Sequence, residues 1–270
     1  MTADHVNEQM RVEMENSAER LRALLSQVRA AKDDTGAIEM WAKVFGIASE
    51  DSHSRSMEVV QRLVWVDDEL AMLVQALKQE RDYPEEGYAT MQQGVQRALG
   101  VGPLNNKAVH VKQHLGESVM TSLQQMAINL ARTEIGITEE QLTTLSALID
   151  SLAQQLTERD LEPALRGVVL RHIRLLRRAI DAYPIWGVRA FSDSLRDALG
   201  DLMVFRERQA NGPVSPEEQS ALHALKNAWK KVSQFVTEAD KVRKTVVLVG
   251  AAYEALEWGA AASPIEEDVL

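Results

Sequence analysis

Residues 162–187 read EPALRGVVLRHIRLLRRAIDAYPIWG. Apolar side chains return in this run every three or four positions and strict alternation is absent, so it is an amphipathic helix and not a strand. At about 100° per residue, Arg166, Arg171, Arg174, Arg177 and Arg178 gather in an arc of roughly 140°. Leu165, Val168, Val169, Ile173, Leu175, Leu176, Ala179 and Ile180 fill the opposite arc. His172 falls in the middle of that apolar arc. Pro163 stands near the first turn, where proline is tolerated. Pro184 and Gly187 are predicted to end the helix.

Working outward, the same period dominates the chain. Residues 5–33 carry Met10, Met14, Ser17, Leu21, Leu24, Val28 and Ala31 at alternating spacings of three and four, a heptad seam with one polar position. Such a narrow stripe seats against one partner helix, either in a second copy or on the chain's own body. A short helix over 37–45 presents Ile38, Trp41, Val44 and Phe45 before Gly46 closes it. A long one over 55–81 repeats Val59, Leu63, Val66, Leu70, Leu73 and Leu77. Residues 85–99 and 107–133 are helical, and GVGPLNN at 100–106 is the clearest linker. Thr138 with Gln141, and Ser215-Pro216 with Glu218, are capping boxes that start further helices. The last helical region is predicted from 215 to about 262. The fold class is therefore all-α, a multi-helix bundle of about nine or ten helices with a long coiled-coil-like N-terminal helix. The expected organisation is an N-terminal helix over 1–34, a helical subdomain over 35–100 and a helical bundle over 107–270.

Composition narrows the function classes. A hydrophobic content of 45% is enough for a sizeable core. The formal net charge of −10 argues against broad nucleic-acid binding, because a phosphate-gripping surface is basic. The absence of cysteine excludes disulfides and thiolate metal sites. The first residues, MTADHVNEQM, lack a basic and apolar leader pattern. The apolar stretch TVVLVGAAYEALEW at 245–258 is interrupted by glutamates and falls short of the roughly 20 residues of a spanning helix. A cytoplasmic protein is expected.

Four constellations bear on chemistry. Arg166 and His172 resemble the paired arginine and histidine of HEPN-class helical ribonucleases, which stand four to six residues apart on one helix. The resemblance implies that the arginine stabilises a phosphorane and the histidine moves a proton. The wheel separates the two by about 120°, and Gly167 stands where that class tends to carry a polar residue. The arginine stripe as a whole suits carboxylate or phosphate partners, on this chain or on another molecule. His110, His114 and Glu117 share one face if residues 107–133 form a single helix, and could then meet one metal ion. Lys241, Arg243 and Lys244 precede the apolar stretch, a pattern compatible with a membrane surface or with a bundle core. No Walker loop, dinucleotide fingerprint or nucleophile elbow is present.

IEMWAKVFGI at 38–47 and LRRAIDAYPIWGVRAFSDSLRDALG at 176–200 resemble segments of bacterial all-helical proteins, through a short WxxVF helix and an AIxxYxIxG turn. The resemblance implies an all-α bacterial protein and no activity. The expectation is a non-enzymatic helical interaction or scaffold protein that needs no cofactor and forms a homo-oligomer. Its contact residues would be Met10, Met14, Leu21, Leu24 and Val28 together with the five arginines. The alternatives are a HEPN-like ribonuclease of bacterial defence and a membrane-surface effector.

Overall fold

The computed structural model describes residues 14–79, 85–130, 134–158, 161–209 and 215–239. The chain is all-α, with eleven helices among the described residues. They are α1 Ser17–Ala30, α2 Ala37–Val44, α3 Ser52–Gln79, α4 Glu85–Ala98, α5 Val101–Leu104, α6 Ala108–Lys112, α7 Glu117–Asn129, α8 Glu139–Glu158, α9 Pro163–Trp186, α10 Arg189–Gln209 and α11 Pro216–Ala239. Two-residue extended segments are β1, Met14–Glu15, and β2, Glu134–Ile135. Two compact units divide the chain. The N-terminal unit holds Met14–Thr133 with Pro184–Gly187, and the C-terminal unit includes Glu134–Tyr183 and the described residues that follow 187.

The N-terminal unit corrects three expectations. The helix predicted over 5–33 begins only at Ser17, because Asn16 is extended and caps it. The Asn16 Oδ1 accepts the Glu19 N–H at 3.0 Å, while its Nδ2 donates to the carbonyls of Ala127 (3.0 Å) and Leu130 (3.3 Å). One buried amide thus satisfies the start of α1 and the end of α7. Met14 of the predicted seam stands in β1, and Met10 lies outside the described residues. Second, the 100–106 linker is not a boundary. It contains α5, and an antiparallel bridge between Gly36 and Lys107 ties its end to the loop before α2. Third, the helix predicted over 107–133 is broken between Lys112 and Glu117, with Gly116 extended at the N-cap of α7. Both α1 and α3 lie in the same unit as residues 85–130, so the predicted division at 34 and 100 does not match the compact units.

The core of this unit is built from Leu21, Leu25 and Val28 of α1, Leu63, Val66, Leu70, Leu73 and Leu77 of α3, Met91 and Val95 of α4, and Leu123 and Met126 of α7. At Gly94 the helices come so close that an added Cβ would meet Val119 Cγ2 at 2.5 Å and the His114 carbonyl at 2.9 Å.

In the C-terminal unit both capping boxes form. Thr138 N–H donates to Gln141 Oε1 at 2.8 Å and Gln141 N–H to Thr138 Oγ1 at 3.2 Å. Ser215 N–H donates to Glu218 Oε2 at 2.8 Å and Glu218 N–H to Ser215 Oγ at 3.2 Å. Helix α9 buries Leu165, Val169, Ile173, Leu176 and Ala179 and leaves its five arginines exposed, as the wheel predicts. Its end is a correction: α9 continues through Pro184 to Trp186 and stops at Gly187, whose φ is 59°. Interior proline costs about 3 kcal/mol. The turn that follows it is held inside the N-terminal unit. There Arg20 Nε donates to the Ile185 carbonyl at 3.2 Å, and Trp186 Nε1 donates to the Trp65 carbonyl at 3.0 Å.

Candidate interaction surface

Three surfaces and clusters emerge from this framework. The first is the outer face of α3. Asp51 starts the helix: its carboxylate accepts the Ser54 N–H at 2.6 Å, a bond that holds the carboxyl below its ordinary value. Downstream, buried residues recur at Val59, Leu63, Val66, Leu70, Leu73 and Leu77 and turn one face to the core. The opposite face carries four large apolar side chains among its polar ones. Met57 is 58% exposed, Val60 43%, Val64 54% and Met72 50%. Met57, Val60 and Val64 fall within roughly 60° around the helix, and they form one ridge. Gln61, Asp67, Asp68 and Ala71 share the exposed face. Elsewhere among the described residues, large exposed apolar side chains stand one per helix: Val101, Val109, Ile128 and Leu170. Single exposed apolar residues are ordinary; the α3 ridge gathers three of them on one face.

The N-terminal unit also carries a buried ion pair. Arg20 Nη2 meets Glu69 Oε1 at 2.8 Å, with side-chain exposures of 5% and 2%. With its Nε on the Ile185 carbonyl, Arg20 puts a cation at the C-terminal end of α9, where the helix dipole favours it. Glu69 neutralises that cation in a low-dielectric setting. Trp65, one turn before Glu69 on α3, and Trp186, next to Ile185 on α9, stand 5.4 Å apart between ring centroids.

In the C-terminal unit His172 is fully buried. Its Nδ1 accepts the Trp229 Nε1–H at 2.9 Å, and the two rings meet edge to face at 5.8 Å. An accepting Nδ1 leaves the neutral ring's proton on Nε2, which has no hydrogen-bond partner among the described residues. Burial, aided by the positive charge of Arg171, lowers the His172 pKa from the ordinary 6.5 to about 4. Arg166 points elsewhere: it is exposed, and its Nη2 donates to the Leu156 carbonyl at 2.9 Å. The two residues therefore do not line one accessible cleft, and the ribonuclease reading of the pair is corrected. A histidine at the centre of an apolar arc packs inward, taking its proton-transfer atoms away from solvent.

The rest of the arginine stripe largely meets this chain. Arg171 pairs with Asp201 at 2.6 Å and Arg177 with Asp150 at 3.1 Å, while Arg174 Nε donates to the Leu170 carbonyl at 3.4 Å. Arg178 also has an interaction within the structure. Neighbouring helices α8 and α10 thus answer much of the cationic face from within the same unit.

The proposed metal triad comes apart. His110 belongs to α6, His114 follows it, and Glu117 opens α7 and meets Arg29 at 3.3 Å. No group of three or more metal-ligating side chains occurs among the described residues. Leu21, Leu24 and Val28, predicted as an intermolecular seam, are buried within their own unit. An open depression on α8, lined by Glu139, Glu140, Thr143, Thr144, Ala147 and Leu148, draws on one helix and gathers no groups from a second element. No helix among the described residues is long and apolar enough to cross a membrane. Residues 241–262, read as a membrane-surface or core segment, lie outside the described residues.

The α3 ridge and the Arg20–Glu69 pair stand outside the sequence-based expectations. The ridge had a signal: valine at both 59 and 60 and again at 64 and 66 makes α3 apolar over more than the face a core needs. The ion pair had none, since its members stand 49 residues apart. No protein-family model matches the chain, and neither does any curated protein or solved structure.

Proposed function

We propose that this chain is a non-enzymatic helical interaction protein that associates with itself, in a bacterial cytoplasm. The observation that carries the reading is the uncovered apolar ridge of Met57, Val60 and Val64 on α3. The loss of the chemical alternatives supports it: His172 is enclosed and the histidine–glutamate triad is dispersed over separate elements. The surface assigned to association thereby moves from α1, whose seam residues are already buried, to α3.

The test is the solution mass of the full chain across a concentration series, with Val60→Asp/Val64→Asp as the comparison. The wild type is expected to shift from monomer toward a larger species as concentration rises. The double variant is expected to stay monomeric and to unfold within about 0.5 kcal/mol of wild type, since both positions face solvent. A wild type that remains strictly monomeric defeats the self-association. A variant that associates as well as wild type removes α3 from the account.

A further inference from the structure

We infer that the occupant of the α3 ridge is α3 of a second copy, packed antiparallel about a two-fold axis near residues 61–62. This rests on the reading of the ridge as a self-association surface and adds its partner, orientation and register.

The argument starts from spacing. His53, Met57, Val60 and Val64 follow one another at four, three and four positions on the exposed face, which is the seam pattern by which two helices interlock side chains. The seam then turns acidic at Asp67 and Asp68, both exposed, before Ala71 and Met72. This unequal distribution of charge selects the orientation. A parallel pair in register sets Asp67 and Asp68 of one copy against the same carboxylates of the other, and like charges facing each other oppose association. An antiparallel pair separates them. With Val60 of one copy opposite Val64 of the other, Met57 falls opposite Asp67 and bounds each side of the valine centre. His53 of each copy then comes within a helical turn of Asp67 and Asp68 of the other, where an imidazole N–H faces a carboxylate. The two valines meet their counterparts, and each acidic end lies beside the other copy's Met57 and His53 instead of its own acids. Such self-complementarity is what a two-fold interface requires.

Size sets the strength. Four half-exposed side chains per copy supply well under the roughly 800 Å² per partner of a standard stable interface. The pair is therefore weak, present at about 100 μM protein and dissociated near 1 μM.

The chain has no cysteine, so single introduced cysteines report geometry without background. Gln61 and Gln75 are both exposed on α3, and replacing either leaves the core untouched. In the antiparallel pair the two copies of position 61 flank the axis. The two copies of position 75 stand about 40 Å apart, from a rise of 1.5 Å per residue. Full-length Gln61→Cys and Gln75→Cys are oxidised mildly at about 100 μM, and disulfide-linked dimer is followed over time. The expected result is trapping at least tenfold faster for Gln61→Cys. Equal trapping at both positions means a parallel pair, and no trapping at 61 while the wild-type mass still shows a dimer means another face. Either outcome overturns this inference and leaves self-association standing. A wild type that is monomeric at every concentration overturns both.

Discussion

Helices α3 and α9 are the two long amphipathic rods of this protein, and they handle their faces in opposite ways. The inner face of α3 buries a charge, Glu69, and matches it with Arg20. The inner face of α9 buries a titratable ring, His172, which accepts one hydrogen bond from Trp229 and is kept neutral by its burial. Outside, α9 is cationic and answered by Asp150 and Asp201 of neighbouring helices, whereas α3 shows an apolar ridge that nothing in its own unit covers. The conspicuous charge pattern is thus the self-contained one, and the plain apolar pattern is the one left open. A salt-bridged surface is satisfied by water and by nearby acids at little gain, but exposed apolar area keeps its drive to be buried.

The inner faces are where the contrast breaks most sharply. Glu69→Ala takes away the buried carboxylate that meets Arg20 and should cost about 3–5 kcal/mol, measured by denaturant unfolding. The double replacement Arg20→Met/Glu69→Leu removes both charges and should cost clearly less than the single change, although the Ile185 carbonyl then loses its donor. A double variant no better than Glu69→Ala would show that the pair's worth lies in holding the α9 terminus.

The α9 counterpart is read by pH. The unfolded chain takes up a proton on His172 near the ordinary value of 6.5, but the folded chain resists protonation down to about 4. The unfolded state therefore binds more protons across that window. Stability fully present above pH 6.5 is lost as pH falls, by about 1.4 kcal/mol per pH unit, until the folded-state pKa is reached. Stability curves for wild type and His172→Leu should diverge by that slope between pH 6.5 and 4, on top of a constant offset from the unpaired Trp229 N–H. Parallel curves would mean that the imidazole reaches solvent.

The smallest effect belongs to the outer face of α9. Arg177→Ala removes an exposed pair with Asp150 and should change stability by no more than about 0.5 kcal/mol, with any difference vanishing in high salt. A larger or salt-insensitive loss would mean that the cationic face holds more than its neighbours. Against this, the ridge substitutions on α3 should alter association while sparing stability, the reverse of what Glu69→Ala does.

Much of this architecture is legible residue by residue. The two-sidedness of α9, the inward place of His172, the capping boxes at Thr138 and Ser215 and the stop at Gly187 each follow from local chemistry spanning a few positions. Other features are illegible for an equally local reason. Residues before Ser17 continue the heptad spacing, and only the carbonyls of Ala127 and Leu130, more than a hundred positions away, make Asn16 the end of the helix. Pro184 reads as a stop, yet α9 passes through it because Arg20 and Trp65 hold the turn beyond. His110, His114 and Glu117 share a face only on an unbroken helix, and Gly116 ends that condition.

An all-α chain, its caps and the division of each helix into apolar and polar arcs follow from local sequence, since these depend on side-chain period and on groups within a turn of one another. Which of the apolar arcs are covered depends on how the distant parts of the chain come together. Leu21 and Leu24 carry the same pattern as Val60 and Val64, but burial is a property of what stands opposite, and that neighbour comes from distant parts of the chain.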